Sequence, residues 1–578
     1  VPEGHKKSIW PFAFKKLKGT GPLFALMVIT TALVSAFGLI SPGFSRFFTD
    51  FLLTDLSPGL FLPFLVLISI FTIFQIATLI FQAIYTLRIN GQIALTSSYS
   101  FMWHLLRLPV EFYGQRIVGD IIARKDENTS VVNVLVTTLA PLVIDCIMLV
   151  FYLVILLRYS VLLSIVGIVS VLLDLLITNA IAKKQTDLAR VNARDKARQI
   201  SSGLTAISSI ESIKASGSEN GFFERWAGNQ ATANNSAVAM DNLSLNAGLF
   251  PTIISAVANV LILGGGVCLC VTGHWTVGMI TAFMAFLNSF LTPASKIVSL
   301  SQTMQTMRTQ MERVEDVMEY PVDVNFAEDE DLDNKEFDKL TGKVKVENIS
   351  FGYCPLEEAL IQDFSLEVEP GKSVALVGSS GCGKSTIAKL IAGLIDPWKG
   401  KILLDGKTKA EIDPYVFSSS VTMVEQESAL FADSFRNNIK LWDETIEDFE
   451  MIMAAKDAKI HDLIASRQRG YNAMLTEDGS NISGGQRQRV EIARVLAEDP
   501  RMIILDEATS ALDAKTEHEI VKAIEARGVS LIVVAHRLST IRNCDEIIVL
   551  DKGKIVDRGK HDYLYKNCKL YKNLVMDS

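Results

Sequence analysis

The chain has 578 residues, too many for one domain and enough for two or three. Hydrophobic residues make up 49% and charged residues only 21%, with a mean hydropathy of +0.29, which excludes an ordinary soluble enzyme and places the surplus in lipid-facing segments. A net charge of −8 argues against nucleic acid as the main partner, and seven cysteines without even spacing exclude a disulfide framework.

In chain order, Lys6, Lys7, Lys15, Lys16 and Lys18 come first, interleaved with Trp10, Phe12 and Phe14. That is the pattern of an interfacial helix on the inner leaflet of a membrane. Six apolar runs follow, at roughly 22–42, 60–85, 131–157, 160–182, 245–272 and 276–300, each near the ~20 residues that span a bilayer. Three of the loops between them are short and poor in Lys and Arg. The other two are long and basic, with Arg88, Arg107, Arg116, Arg124 and Lys125 in one, and Lys183, Lys184, Arg190, Arg194, Lys196 and Arg198 in the next. The positive-inside rule places both long loops and both chain ends in the cytoplasm. These loops keep helical spacing, so the spans are expected to run on beyond the membrane and turn on short cross-helices near Glu111–Ile122 and Thr205–Phe223. Asp145 and Asp174 fall inside the third and fourth spans, where a carboxylate is costly and faces either a cavity or a partner; both roles stay open. An acidic stretch over 321–340, with Asp323, Glu328, Asp329, Glu330, Asp331, Asp333, Glu336 and Asp338, is expected to be a solvated connector.

The second half reads differently. Val344–Ser350 alternates as a strand and leads to Tyr353. A second strand, Ser373–Val377, enters Gly378-Ser379-Ser380-Gly381-Cys382-Gly383-Lys384-Ser385-Thr386, with helical spacing resuming at Ile387. Strand, GxxxxGK[ST] and helix form the phosphate-loop context. Its glycines let backbone N–H groups turn toward a β-phosphate, at the positive end of the following helix. Lys384 is expected to neutralise β/γ oxygens and the Ser385 hydroxyl to hold Mg²⁺. Cys382 lies at a variable position of this loop, its side chain expected to turn away from the nucleotide. Met502–Asp506 reads as a buried strand ending in a second magnesium group, with Glu507 at its tip as the base for an attacking water. His536 ends the strand Leu531–Val534, where a neutral imidazole is placed to contact a γ-phosphate; Ser539 and Thr540 read as turn residues.

Ile482-Ser483-Gly484-Gly485-Gln486 resembles the signature motif of ATP-binding cassette (ABC) transporters, with Ile where the family usually has Leu. The resemblance covers nearly the whole chain. It implies a half-transporter exporter: an all-α six-helix transmembrane domain with long cytoplasmic extensions at 1–320, the acidic linker at 321–340, and an α/β P-loop nucleotide-binding domain at 341–578. By the same resemblance Tyr353 stacks on adenine, and Gln426 senses Mg²⁺ and contacts the membrane domain. Ser483 and Gly485 bind the γ-phosphate of an ATP held by a second copy, Gly484 and Gln486 count among the nucleotide-binding residues, and Asp513, in Ser510–Asp513, lies on the loop crossing between sites. A homodimer with two ATPs is implied, and an intact Glu507 implies hydrolysis. Finer segments are similar to bacteriocin-exporting transporters that carry a C39 cysteine peptidase: Leu108–Asp120, Thr476–Asn481, Val490–Arg494 and Gln310–Pro321. The expectation is export of a leader-bearing peptide across a bacterial inner membrane by alternating access. No peptidase is expected in this chain, and one is looked for upstream of Val1. A lipid or multidrug exporter shares every ATPase motif and is the alternative; a soluble repair or translation ATPase is excluded by the spans.

Overall fold

The structure is a computed structural model that describes residues 11–12, 19–54, 58–114, 116, 118–323, 338–354, 356–426, 429–534 and 537–576. Most of the lysine-aromatic N-terminal stretch and of the acidic connector, and His536, lie outside the described residues. The chain divides into two compact units, Val1–Leu106 with Val118–Tyr320, and Arg107–Ile117 with Pro321–Ser578.

The first unit is helical because its apolar runs carry almost no side chain able to satisfy a backbone group, and in hydrocarbon only intrahelical bonds do so. Its helices are α1 (Gly21–Phe47), α2 (Phe61–Leu106), α4 (Val118–Val134), α5 (Ala140–Tyr159), α6 (Val161–Ser208), α7 (Ile210–Ser216), α8 (Glu219–Val271) and α9 (Val277–Met318); α3 (Val110–Gly114) belongs to the second unit. Among the described residues, Gly21–Leu53, Phe61–Leu106, Gly119–Tyr159, Glu219–Val271 and Val277–Ala294 are long and apolar enough to cross a membrane, and Val161–Ile177 is a shorter apolar helix. The expected cross-helices correspond to α3 and α7. The first is shorter than its sequence stretch, because helix resumes already at Val118. Ser160 and Thr276 cap α6 and α9 by accepting from Leu163 N and Met279 N. Pro42, Pro251 and Pro293 lie inside α1, α8 and α9.

Several polar side chains inside this unit have partners within the helix or across it. Thr30, Thr31 and Thr78 hydroxyls donate to carbonyls one turn back. Asp145 Oδ2 accepts from Lys296 Nζ at 3.0 Å, which gives the third-span carboxylate a charged partner on α9; Asp174 is buried. Asp50, in the π-helical turn after α1, accepts from Thr276 Oγ1 at 2.7 Å and Gly278 N at 2.8 Å, fastening that turn to the start of α9. Toward the other end of α9, Arg313 bridges Asp120 and Glu127, and Arg124 bridges Asp120 and Asp316.

The second unit holds two sheets. A three-stranded antiparallel sheet runs β2 (Ile361–Val368), β1 (Val344–Phe351), β4 (Lys399–Leu404). The six-stranded sheet runs β5 (Val421–Val424), β6 (Met502–Asp506), β7 (Ser530–Val534), β3 (Ser373–Gly378), β8 (Glu546–Asp551), β9 (Lys554–Gly559), parallel except for β9. β3, β6 and β7 are buried on both faces, which is why they read as unbroken apolar runs. Val374, Leu376, Ile504 and Ile532 face a core shared with Ile387 and Ile391 of α10 (Lys384–Ile391). Ala375, Val377, Ile503 and Val533 face a second core shared with Val490 and Ala493 of α11 (Gly484–Ala497). Each such Val, Leu or Ile side chain contributes about 1.5–3 kcal/mol by leaving water, and together they fix the carboxyl ends of three adjacent strands, β6, β7 and β3, side by side. Helix α10 begins at Lys384, three residues before the periodicity resumes at Ile387, because Gly383 takes the left-handed N-cap (φ 100°) and frees the next residues to turn.

Replacing Asp50 with Ala strips Thr276 and the Gly278 N–H of a charged acceptor. The loss expected is about 1.5–3 kcal/mol, read as a lower thermal unfolding midpoint of the detergent-solubilised protein; an unchanged midpoint would show the turn is not held this way.

Candidate nucleotide site

Three strand ends carry the site. After β3, Gly381 and Gly383 both take positive φ (77° and 100°), so the loop folds back and points backbone N–H groups inward ahead of α10. Lys384 is buried, and its ammonium donates to Gly378 O and Ser379 O at 3.0 Å each. An incoming phosphate competes for those same donors, so the ammonium is already where negative charge is to be placed. Ser385 Oγ donates to Asp506 Oδ1 at 2.9 Å, and Thr386 Oγ1 shares a hydrogen bond with Tyr353 Oη at 3.2 Å. The Tyr353 ring stands edge-on to Phe351, 5.3 Å between centroids, and is 66% exposed, so a face is available for stacking.

Asp506 closes β6 and is buried; burial pushes its carboxyl above the ordinary range, while the Ser385 hydrogen bond pulls the other way. Glu507 follows in a left-handed backbone conformation (φ 51°), which costs a non-glycine residue about 1–2 kcal/mol. Its N–H donates to Val534 O at 3.0 Å, anchoring that conformation to the neighbouring strand, and its Oε2 accepts from Gln426 Nε2 at 3.0 Å. Serine hydroxyl, aspartate carboxylate and glutamine amide oxygen are hard donors, and this set suits Mg²⁺.

Ser483, Gly484, Gly485 and Gln486 form a separate group. Ser483 Oγ accepts from Gln486 N at 3.3 Å, and Gln486 Oε1 accepts from Ser483 N at 3.0 Å, a reciprocal cap on α11. The Gln486 side-chain oxygen thereby orients the residue at the start of α11, beside Gly485. Gly485 leaves no room for a side chain, since a Cβ there would lie 2.8 Å from Ala511 O. Gln488 ties this turn to the loop after Glu507, donating to Ser510 Oγ at 3.1 Å and accepting from Ala511 N at 3.0 Å. Asp513 ends that loop by capping α12 (Ala514–Ala526), accepting from Thr516 N at 3.0 Å, and this hydrogen bond holds its carboxyl below the usual range.

Cys382 is 3% exposed, burial raises its thiol, and its sulfur lies 2.7 Å from where a Cβ on Gly378 would be. Only its backbone is placed to meet a ligand. Glu517 escaped sequence reasoning altogether. At 1% exposed it accepts from Thr509 Oγ1 (2.8 Å), Arg537 (3.2 Å) and Thr540 Oγ1, while Arg537 also donates to Leu512 O and Ser510 O. Thr540 is thus a ligand of a buried carboxylate and more than a turn residue. The available signal was Glu517 standing at helical spacing with Ile520 and Ile524 on the buried face of α12.

Residues 24–294 match the ABC transporter transmembrane region and residues 361–510 the ABC transporter family. The exotoxin translocation ATP-binding protein PaxB of Pasteurella aerogenes is 30% identical over 551 residues, covering 94% of this chain and 76% of that protein. The leukotoxin translocation ATP-binding protein LktB of Mannheimia haemolytica is 30% identical over 552 residues, with the same coverage. A solved bacterial Atm1-family ABC exporter with ATP bound superposes with a TM-score of 0.83 at 25% identity, over 96% of this chain and 98% of that one.

Because folding raises the Asp506 carboxyl, the unfolded chain releases its proton first as pH rises through the ordinary aspartate range. Above that range the folded state holds a buried charge, and this residue subtracts stability. Asp506→Asn is expected to unfold at higher temperature than the native protein, by a margin that widens from acid toward neutral pH. ATP hydrolysis is expected to fall at least about tenfold. Parallel melting curves at every pH would contradict the assignment.

Proposed function

The chain belongs to the ABC transporter family as an ATP-hydrolysing half-transporter of the exporter type, and from that premise we propose that it exports a polypeptide from the cytoplasm across a bacterial inner membrane. The observation that carries this is its 30% identity, over nearly its whole length, to proteins named for translocating exotoxin and leukotoxin. Protein cargo therefore stands first and a leader-bearing bacteriocin second. The likeness of Leu108–Asp120 and Thr476–Asn481 to peptidase-bearing exporters supports that second cargo, with a C39 domain as partner. Working bounds are 1–320 for the membrane domain, 321–340 for the linker and 341–578 for the nucleotide-binding domain.

Two copies are proposed to share two ATPs. Within one chain the phosphate-loop group and the Ser483–Gly485 group are each bound up separately, and a second copy brings one against the other. The helix dipole of α11, its N-terminus capped by Ser483, favours a γ-phosphate there. Lys384 receives the β- and γ-oxygens, Tyr353 takes the adenine, and Asp513 lies on the crossing loop. Ser385, Asp506 and Gln426 would hold Mg²⁺, which neutralises phosphate charge. Glu507, oriented by Gln426 and by its anchored backbone, accepts the proton of the attacking water, and His536 contacts the γ-phosphate. ATP shifts the membrane domain from inward-facing toward outward-facing only through its tighter binding to the closed dimer.

Glu507→Gln is expected to trap an ATP-bound dimer on size exclusion, with turnover reduced at least about tenfold; normal turnover would refute its role as base. For the cargo, ATP hydrolysis in nanodiscs is measured with an unfolded toxin-type polypeptide, a double-glycine leader peptide and phospholipid. Stimulation of about twofold or more by the polypeptide alone supports protein export. Stimulation by lipid alone would move the assignment to the lipid exporters.

A further inference from the structure

Asp323 stands just past the end of α9, and it touches two segments distant from it in sequence. Its backbone N–H donates to Arg107 O at 2.9 Å, at the point where α2 gives way to α3. Its carboxylate accepts from Lys409 Nζ with both oxygens, at 3.1 and 3.2 Å. The Lys409 ammonium also donates to Gly393 O at 2.6 Å and lies 5.9 Å from the centre of the Phe417 ring. Gly393 directly follows Ala392, the C-cap of α10. Both charged side chains are largely withdrawn from water, 19% exposed for Lys409 and 23% for Asp323, so solvent screens the pair less than one on an open surface.

The consequence is a continuous tie. Helix α10 carries Lys384 and Ser385 in its first turn and hands its far end to Lys409. Lys409 is held by Asp323, and Asp323 holds the backbone that leads out of α2. A helix of 8 residues, about two turns, does not bend over such a length, so displacement of its phosphate end reappears at Gly393. Phe112 of α3, 1% exposed, packs within this same unit, as Arg107 does.

We propose that Asp323 is a positioning residue for energy coupling: through Lys409 it fastens the segment between α2 and α3 to the end of the phosphate-loop helix, so that nucleotide-driven movement of α10 pulls on α2. This rests on ATP-coupled export, which the family establishes, and not on the identity of the cargo.

The test uses the full chain in lipid nanodiscs, with spin labels at Gly59 and Thr272, in the turns before α2 and after α8. Two quantities are read for each variant: ATP hydrolysis, and the change in label distance on adding ATP with vanadate. Asp323→Asn keeps the backbone N–H and removes the charge. It is expected to hydrolyse ATP within about threefold of the native rate while the population showing the ATP-driven distance change falls at least about fivefold. Lys409→Gln is expected to do the same, and Asp323→Glu to restore the change. A full distance change in both Asp323→Asn and Lys409→Gln would overturn the proposal. So would equal loss of hydrolysis and distance change in Asp323→Asn without recovery in Asp323→Glu, since the residue would then be supporting the ATP site or the fold itself.

Discussion

The hydrogen bond from Ser385 to Asp506 joins two strands that are not neighbours. β3 supplies the phosphate loop, β6 supplies the carboxylate, and β7 lies between them, so the bond can form only if all three strands keep register and end at one level. The parallel pairing of Ser373 with Leu531 and of Ile503 with Leu531 sets that level. A slip of one residue would turn Val374 and Ile504 out of one core and into the other. The chemistry therefore depends on two apolar cores packed on opposite faces of one sheet, and the site inherits its geometry from them. Glu507 shows the dependence most plainly, since its unfavourable backbone is tolerable only because β7 offers Val534 O to its N–H.

What the sequence made legible was chemistry carried by consecutive residues. A phosphate loop, a strand ending in Asp506-Glu507, and a glycine-rich helix start each confine their function to a few adjacent positions, so a linear pattern suffices. The six apolar runs were legible for a related reason, because hydrocarbon imposes a composition over ~20 residues at a time. What stayed hidden was chemistry assembled across the chain. Glu517 gathers Thr509, Arg537 and Thr540, residue types that sit unremarked on any surface. Asp145 finds Lys296 and Asp323 finds Lys409, pairings that no periodicity announces. The start of α10 was missed because Lys384, Ser385 and Thr386 are polar: a helix turn that faces a ligand shows no apolar spacing. Gln486 caps its own helix, a local role that its place in a glycine-rich motif does not announce.

Several carboxylates of the helical unit are tied to partners on other turns or helices. Asp50 is met by a hydroxyl and a backbone N–H, Asp145 by a lysine, Asp120 by Arg124 and by Arg313 of α9, and Glu127 by Arg313. Removing one member of such a set strands the other, which is more costly than never having had the pair. These contacts fall at the two extremities of α9 and at one point between them, so that helix is pinned at intervals by polar contacts while apolar packing elsewhere leaves the surrounding helices freer to slide.

The positions of proline give the unit its mechanics. α6 has 48 residues and no proline, so at ~1.5 Å per residue it is a rod of roughly 70 Å, of which a bilayer covers about 30 Å. α8 and α9 instead contain Pro251 and Pro293 within their apolar portions, where the missing N–H creates a joint. Compliance is thus concentrated in the helices that contain a proline, α1 with Pro42 among them, and withheld from α6. A stiff arm whose fulcrum is the membrane surface has a length fixed by the lipid as much as by the protein. A thicker bilayer shortens the free arm, lowers its mechanical advantage, and makes the surrounding lipid a determinant of how much work each ATP delivers.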